Sequence, residues 1–382
     1  RTEPGRPRRW AAGTAPRGEN VDELAFAGFL RGRPTRIARG AVVPIDVPAQ
    51  AEFVLEGEVL PGEREIEGPF GDHFGHYSHA APFPVFRVRR ISHRRDPVYV
   101  ASVVGRPPQE DRAMGDAAQL MLMPLLRLIH PEVRDLWAYY QAGFHGLAVV
   151  AVAQRYGKEA VKAALGLLGA GQMALAKCLV MVDGGVDVRD FRAVLRAIAA
   201  NFDPAHDFLL LPRTPFDTLD FSSMTPNLGS KMVLDATSDG GAPAAPEPPR
   251  VDLGALDPRV RGARLLEGTL LCVVASHADA RPLLDALVAR GDLGGVRIVA
   301  VVSQDVDLSD DEALLWGLFT RFDPARDVVF AGVEARGAWT VCRGRMGIDA
   351  TFKPGFPDPL VMDPEVVLRV DERWGELFRG RR

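Results

Sequence analysis

The chain has 382 residues, of which 47% are hydrophobic, 25% charged and 8% aromatic, with a formal net charge of −4. That length exceeds the roughly 250–300 residues at which one hydrophobic core stops growing, the composition excludes general disorder, and the charge excludes a broad positive field that could neutralise a nucleic-acid backbone. The longest apolar runs, Leu120–Leu126 and Gly146–Ala153, fall short of the roughly 18 residues of a membrane span. Cys178, Cys272 and Cys342 are far apart and form no CxxC pair, so they imply neither a disulfide framework nor a zinc site and fit a reducing cytoplasm. The sequence opens at Arg1 without methionine, and RTEPGRPRR has no apolar segment of a signal peptide; the start reads as a break in a longer protein.

In chain order, Val21–Gly32 (VDELAFAGFLRG) spaces apolar residues as a short helix, with Asp22 able to cap it and Glu23 in its first turn. Ala51–Val104 changes to strand patterning in three runs, AEFVLEGEVL, PVFRVRRI and PVYVASVV, with turn signals at Pro61-Gly62 and Arg94–Pro97; an antiparallel sheet or small barrel is expected. A helix over Asp111–Ile129, a strand at Leu147–Val152, a helix near Lys158–Leu168 and a strand at Cys178–Val182 follow, and that alternation argues α/β layering.

From residue 179 the chain repeats. Val186, Asp187, Asp190 and Phe202-Asp203-Pro204-Ala205 recur 120 residues on as Val306, Asp307, Asp310 and Phe322-Asp323-Pro324-Ala325, and MVLDAT at Met232–Thr237 returns as MGIDAT at Met346–Thr351. Two copies are too few for a solenoid, so a duplicated α/β unit is expected, with the Pro/Ala/Gly-rich Ser238–Pro258 as linker. The division expected is 1–125, 126–237, linker 238–258 and 259–382.

The stretch Glu67–Tyr77, EGPFGDHFGHY, is the most informative. Gly68-Pro69 and Gly71 are turn formers that would bring Glu67 and Asp72 near one another. Two carboxylates in one partly desolvated site cannot both ionise easily, so one would hold a proton for donation; an acidic, Gly-rich surface turn is the plainer alternative. His73, His76 and His79 recur every third residue, but the glycines argue against a helix, and a three-histidine metal site is not expected. The chain has five lysines against 41 arginines. Lys177, ahead of the apolar CLVMVD, and Lys231, in a Gly-Ser turn, are therefore candidates to hold a phosphate, or else solvated surface groups. No GxGxxG, P-loop, GxSxG or HExxH pattern is present.

With these residues set out, the sequence resembles the UbiD family of aromatic-acid decarboxylases. EGPFGD followed by His and Gly-His-Tyr is similar to the family signature, and VDELAFAGFLRG, VPAQAEFVLEGEVLPGE, VVGRPPQED, DFLLLP, LDFSS and NLGSKMVLDAT resemble family blocks in family order. The fold implied is α/β (α+β): a split β-barrel-like flavin-binding part, then a C-terminal α/β domain present as a duplicated, degenerate second copy. The resemblance implies prenylated FMN with Mn²⁺ (or Mg²⁺) and K⁺, Glu23 as a metal ligand, Asp72 as proton donor supported by Glu67, Lys177 approaching the flavin, and Thr14 in a segment passing the cofactor phosphate. The partners implied are a small aromatic acid, a flavin prenyltransferase as cofactor supplier and further copies of the chain in a homo-oligomer.

The arginine of the acid network and the asparagine and histidine metal ligands belong to an N-terminal portion that this sequence does not include, so the chain by itself is expected to be inactive. The reaction implied is non-oxidative loss of CO₂ from a phenolic acid in quinone biosynthesis. Wording such as LGLLGAGQMALAKC is most like members acting on 1,4-dihydroxy-6-naphthoate in the futalosine route to menaquinone; 3-polyprenyl-4-hydroxybenzoate decarboxylation for ubiquinone is the alternative. Two rivals remain: a non-catalytic assembly subunit, and a flavin-binding oxidoreductase on a split barrel. The second copy has no EGPFGD-like segment and is read as packing surface or an oligomer interface.

Overall fold

The computed structural model describes residues 22–238, 250 and 252–377. Helix α1 (Glu23–Leu30) begins where Asp22 accepts from Ala25 N at 2.8 Å, satisfying an otherwise open amide of the first turn. A small hairpin of β1 (Ile37–Arg39) and β2 (Asp46–Pro48) leads into a long antiparallel ribbon of β3 (Phe53–Glu67) and β4 (Ala81–His93).

Two expectations fail in this region. Pro61-Gly62 does not turn the chain; it lies in a bulge, where the register jumps between Val59 and Arg64 and β3 continues to Glu67. The run PVYVASVV lies in no strand. Glu52 holds it instead, accepting from Arg94 Nη1 at 2.9 Å and Val98 N at 3.1 Å. The described residues thus form a two-stranded ribbon and no closed barrel.

The remainder is α/β. Elements α2 (Arg112–Ile129), β5 (Val133–Ala138), β6 (Ala148–Val152), α3 (Glu159–Leu168), β7 (Cys178–Asp183), α4 (Phe191–Asn201), α5 (Pro204–Asp207), β8 (Phe208–Pro215) and β9 (Leu228–Ala236) build a sheet ordered β5-β6-β7-β9-β8. Elements β10 (Gly262–Leu266), β11 (Leu270–Val274), α6 (His277–Val288), β12 (Ile298–Val302), α7 (Asp311–Phe319), α8 (Pro324–Asp327), β13 (Val328–Arg336) and β14 (Trp339–Ala350) build a second, ordered β10-β11-β12-β14-β13. In each, the three central strands are parallel and both edges antiparallel. The sequence repeat is therefore a structural repeat. Helix α9 (Pro364–Leu377) closes the described chain.

The parallel strands read as unbroken apolar runs because both faces are covered. One face of each sheet meets the other sheet: Val149, Val180, Met232 and Leu234 share a core with Cys272, Ala300, Met346 and Ile348. The opposite faces are covered by α3, through Ala160, Ala163 and Leu167, and by α6, through Leu283, Leu284 and Leu287. Full burial of such aliphatic side chains stabilises by about 1.5–3 kcal/mol each, so merging two inner faces into one core is the main reason the copies stay together.

The exchange between copies is reciprocal. Helix α5 packs on β14 while α8 packs on β8 and β9, and Phe208 meets Phe330 edge to face at 4.8 Å. The repeated aspartates explain themselves as local hydrogen-bond acceptors: Asp190, Asp310, Asp203 and Asp323 each cap a helix. Asp323 does more, accepting also from Ser230 N at 2.9 Å and Ser230 Oγ at 2.7 Å across the interface. Asp323→Ala is expected to destabilise by about 2–4 kcal/mol, because it removes a cap and strands a buried hydroxyl, whereas exposed Asp203→Ala loses about 1 kcal/mol. Urea unfolding of the two variants checks the difference.

Candidate active site

The chain between β3 and β4, residues 68–80, is a closed loop. Ser78 ties its base, donating N–H to Phe70 O at 2.7 Å and accepting from Phe70 N at 3.1 Å through Oγ. Gly71 bridges to Tyr77, and Gly75 N turns back to Asp72 O at 2.9 Å. The tip is thus Asp72-His73-Phe74-Gly75.

Asp72 Oδ1 accepts from His73 N at 2.7 Å and meets His73 Nδ1 at 3.0 Å. Burial alone would raise its carboxyl, but these two His73 bonds outweigh it and hold the group below its ordinary value. His73 is pushed down by burial and up by the Asp72 bond and the charges of Asp217, Asp72 and Asp111; the upward effects win. Asp72 is therefore not a carboxyl raised by a crowded acidic site. Asp72 takes an imidazole as its partner, and Glu67 stands exposed at the end of β3, opposite Ala81.

Across from the tip, His145 and Asp217 come from the first α/β unit. Their Nδ1 and Oδ2 are hydrogen bonded, Asp217 Oδ1 accepts from Leu219 N at 2.9 Å, and the His145 bond keeps the Asp217 carboxyl low against its burial. Potential ligand atoms of His73, His145 and Asp217 lie within 4.8 Å of one another. Two imidazoles and a carboxylate suit a borderline cation; the bonds between Asp217 and His145 and between Asp72 and His73 engage Nδ1 of each imidazole and leave its Nε2 to serve as a ligand atom. The cluster brings the loop tip and the first α/β unit together at one polar site.

Lys177 lies at the entrance of β7 with its side chain 1% exposed. Its Nζ donates to Asp220 Oδ2 at 2.7 Å and stands 5.0 Å from the Phe322 ring centroid. It is neither a surface lysine nor, in this arrangement, a charge offered to a phosphate. Lys231 is likewise buried, donating to Pro215 O at 2.7 Å and Ala176 O at 3.2 Å; burial pushes it down to about 8 despite the charges of Asp220 and Asp217. Glu23 is half-buried in the first turn of α1, outside the one three-donor group among the described residues. Thr14 lies outside the described residues.

The tip rests on the second α/β unit. Trp316 Nε1 donates to Phe74 O at 2.9 Å, Leu360 N to Gly75 O at 2.8 Å, and Tyr77 N to Asp358 O at 2.9 Å. His76 stacks on Trp316 with centroids 5.0 Å apart and meets Phe356 edge-on at 4.9 Å. His76 Nδ1 shares Phe74 O at 3.2 Å, so Nε2 is left to accept from Arg321 Nε at 3.4 Å. Arg321, 0% exposed, is met by both oxygens of Asp305 at 2.7 and 2.6 Å. Burial, aided by the Arg321 charge, pushes His76 down to about 3, which keeps it neutral. The three regularly spaced histidines therefore go three ways, His79 packing on Phe221.

Residues 5–107 match the Rift-related domain, and residues 112–236 and 258–350 the C-terminal domain, of 3-octaprenyl-4-hydroxybenzoate carboxy-lyase. The chain belongs to the UbiD family. A protein of Archaeoglobus fulgidus is 43% identical over 226 residues, covering 59% of this chain and 47% of its own. A 4-hydroxybenzoate decarboxylase component of Chlamydia pneumoniae is 34% identical over 380 residues, covering 96% of this chain and 62% of its own. The chain thus spans about half to three fifths of the length of these relatives. Among solved UbiD structures, vanillic acid decarboxylase of Sedimentibacter hydroxybenzoicus in closed form is similar with a TM-score of 0.56 at 32% identity, over 65% of this chain and 52% of that one. HmfF of Pelotomaculum thermopropionicum in complex with FMN gives 0.52 at 30%, over 62% of this chain and 53% of that one.

Sequence reasoning missed His145, Asp217, Trp316 and Arg321. A signal existed for Asp217 and Asp220 in DTLDFSS, where each aspartate accepts from the amide two residues on, a turn habit of that residue. Nothing local marks Trp316 or Arg321.

Two outcomes follow. His76 carries its proton more readily unfolded, near 6.5, than folded, near 3, so the unfolded or undocked chain binds more protons between those values. The stability it contributes is therefore present above about 6.5 and lost as pH falls toward 3; His76→Gln is expected to flatten that part of a stability-versus-pH curve. Lys177→Met is expected to destabilise by about 3–5 kcal/mol by leaving Asp220 buried and unpaired, and Lys177→Met with Asp220→Leu to regain most of it, both read by denaturant unfolding.

Proposed function

We propose that the protein containing this chain removes CO₂ from an aromatic acid without oxidation, and that Asp72 returns a proton to the vacated ring carbon. The observation carrying this reading is the acidic tip: a half-buried carboxylate, 3.0 Å from an imidazole nitrogen, on a loop fixed against both α/β units. Loss of CO₂ leaves an electron pair that needs a sink and then a proton. Prenylated FMN supplies the sink when bound, as cofactors carry the demanding electronic chemistry.

The described residues make the acid side of such a site and not a phosphate cradle, since Lys177 and Lys231 are committed inside the fold. Glu23 would give one oxygen to Mn²⁺ or Mg²⁺, hard cations that favour such ligands; K⁺ belongs to the same reading. Asp72 lies below and His73 above its ordinary value, so within the pair the proton favours His73. Transfer along the Nδ1 to Oδ1 contact loads Asp72, whose carboxyl then donates to carbon. His73 is in this way the proton store, its hold on the proton strengthened against burial by the Asp72 bond and by the charges of Asp217, Asp72 and Asp111. Asp217 and His145, facing it, keep the store oriented.

For the substrate we infer a phenolic acid, with 1,4-dihydroxy-6-naphthoate preferred and 3-polyprenyl-4-hydroxybenzoate the alternative. The sequence wording supports the first, and two relatives are named for phenolic acids, 4-hydroxybenzoate and vanillate. A flavin prenyltransferase as supplier, a homo-oligomer and the cytoplasm complete the reading. In the full-length holoenzyme, Asp72→Asn is expected to lower turnover by about 10²–10⁴-fold, with solvent deuterium entering the ring only at the vacated carbon. Exposed Glu67→Gln is expected to have the smaller effect. Turnover retained in Asp72→Asn would remove Asp72 from the reaction.

A further inference from the structure

We propose that the second α/β unit is the positioning device for the acidic tip, with Trp316 its anchoring residue, so that the copy lacking an acidic loop of its own is what sets the place of Asp72. The proposal rests on the decarboxylation reading for its effect on rate, but not for its geometry. Three backbone groups of the tip that bond outside the loop, Phe74 O, Gly75 O and Tyr77 N, all bond to residues between 316 and 360.

Shape complementarity is as tight as the hydrogen bonding. A Cβ on Gly71 would lie 2.2 Å from Leu360 Cδ1, and one on Gly105 2.6 Å from Leu360 Cδ2. Leu360 therefore fills a slot that only two glycines leave open. Gly75 has φ +76°, and a Cβ there would lie 2.6 Å from Trp316 Nε1. Arg106 and Arg321 each place a guanidinium 4.4 Å from the Trp316 ring centroid, which fixes the indole whose N–H holds the tip.

The two copies differ where this seat is built. At the repeat offset, Trp316 corresponds to Arg196, Arg321 to Asn201 and Asp305 to Gly185. Arg196 is exposed and pairs with Glu267 at 2.9 Å. The first unit thus has the fold and not these three residues, which in the second unit meet at one loop.

The test uses the full-length holoenzyme and its Trp316→Phe variant, which keeps an aromatic ring and loses the N–H donor. Amide exchange over residues 70–79 is expected to speed up several-fold as the tip loosens, and kcat to fall between about 10-fold and about 100-fold with KM within about twofold, because misplacing a reacting group acts on the chemical step. Gly71→Ala is expected to reproduce the loss of kcat, and Gly71→Ala with Leu360→Ala to restore most of it by reopening the slot. Wild-type exchange and kcat in Trp316→Phe, or a Gly71→Ala defect that Leu360→Ala does not relieve, would overturn the proposal. Retained turnover in Asp72→Asn would instead sink the decarboxylation reading and leave the exchange result standing as the test of the seat.

Discussion

The oxygen of Phe74 accepts from Trp316 Nε1 and from His76 Nδ1, and the place of the acidic tip follows from that shared acceptor. A buried carbonyl left without a partner costs about 1–3 kcal/mol, so the loop has one seating in which its polar groups are met. The dependence runs outward in steps. Asp305 neutralises Arg321, Arg321 occupies the free nitrogen of His76, and His76 with Trp316 closes on the carbonyl. Arg321, His76 and Trp316 are buried, where polar networks are strong when complete and costly when broken, and Asp305 reaches them from the exposed surface. On the other side of the tip, Asp72 bonded to His73 faces Asp217 bonded to His145.

Much of this architecture was legible because it is periodic. Continuous apolar runs such as Ala148–Val152 marked the buried parallel strands, and the matches 120 residues apart implied the second sheet. The family likeness was legible in EGPFGD. What failed was local: Pro61-Gly62 carries a turn signal that a strong cross-strand register overrides, leaving a bulge, and PVYVASVV has strand composition without a strand to pair with. Strand propensity describes fitness for a pleated surface and cannot supply the neighbour.

The site was half legible. Asp72 bonds to His73 and not to Glu67, the neighbour its turn suggests, because proximity in a turn can be guessed and contact across domains cannot. His145, Asp217, Trp316 and Arg321 reach the tip from far along the chain. The scarcity of lysine was a real signal with a different meaning. Lys177, Lys231 and Lys353 are all buried, the last two donating to clusters of backbone carbonyls. A compact ammonium on a flexible stem fits such cages.

Tandem fusion of the two sheets has a consequence for how such a protein can change. In a symmetric pair of identical subunits every substitution is written on both sides of the axis, so a cradle made for one loop would also appear where no loop exists. Joined in one polypeptide, the halves keep a common core yet accumulate differences separately. One half is then free to be tailored to a single visitor while its twin preserves the scaffold.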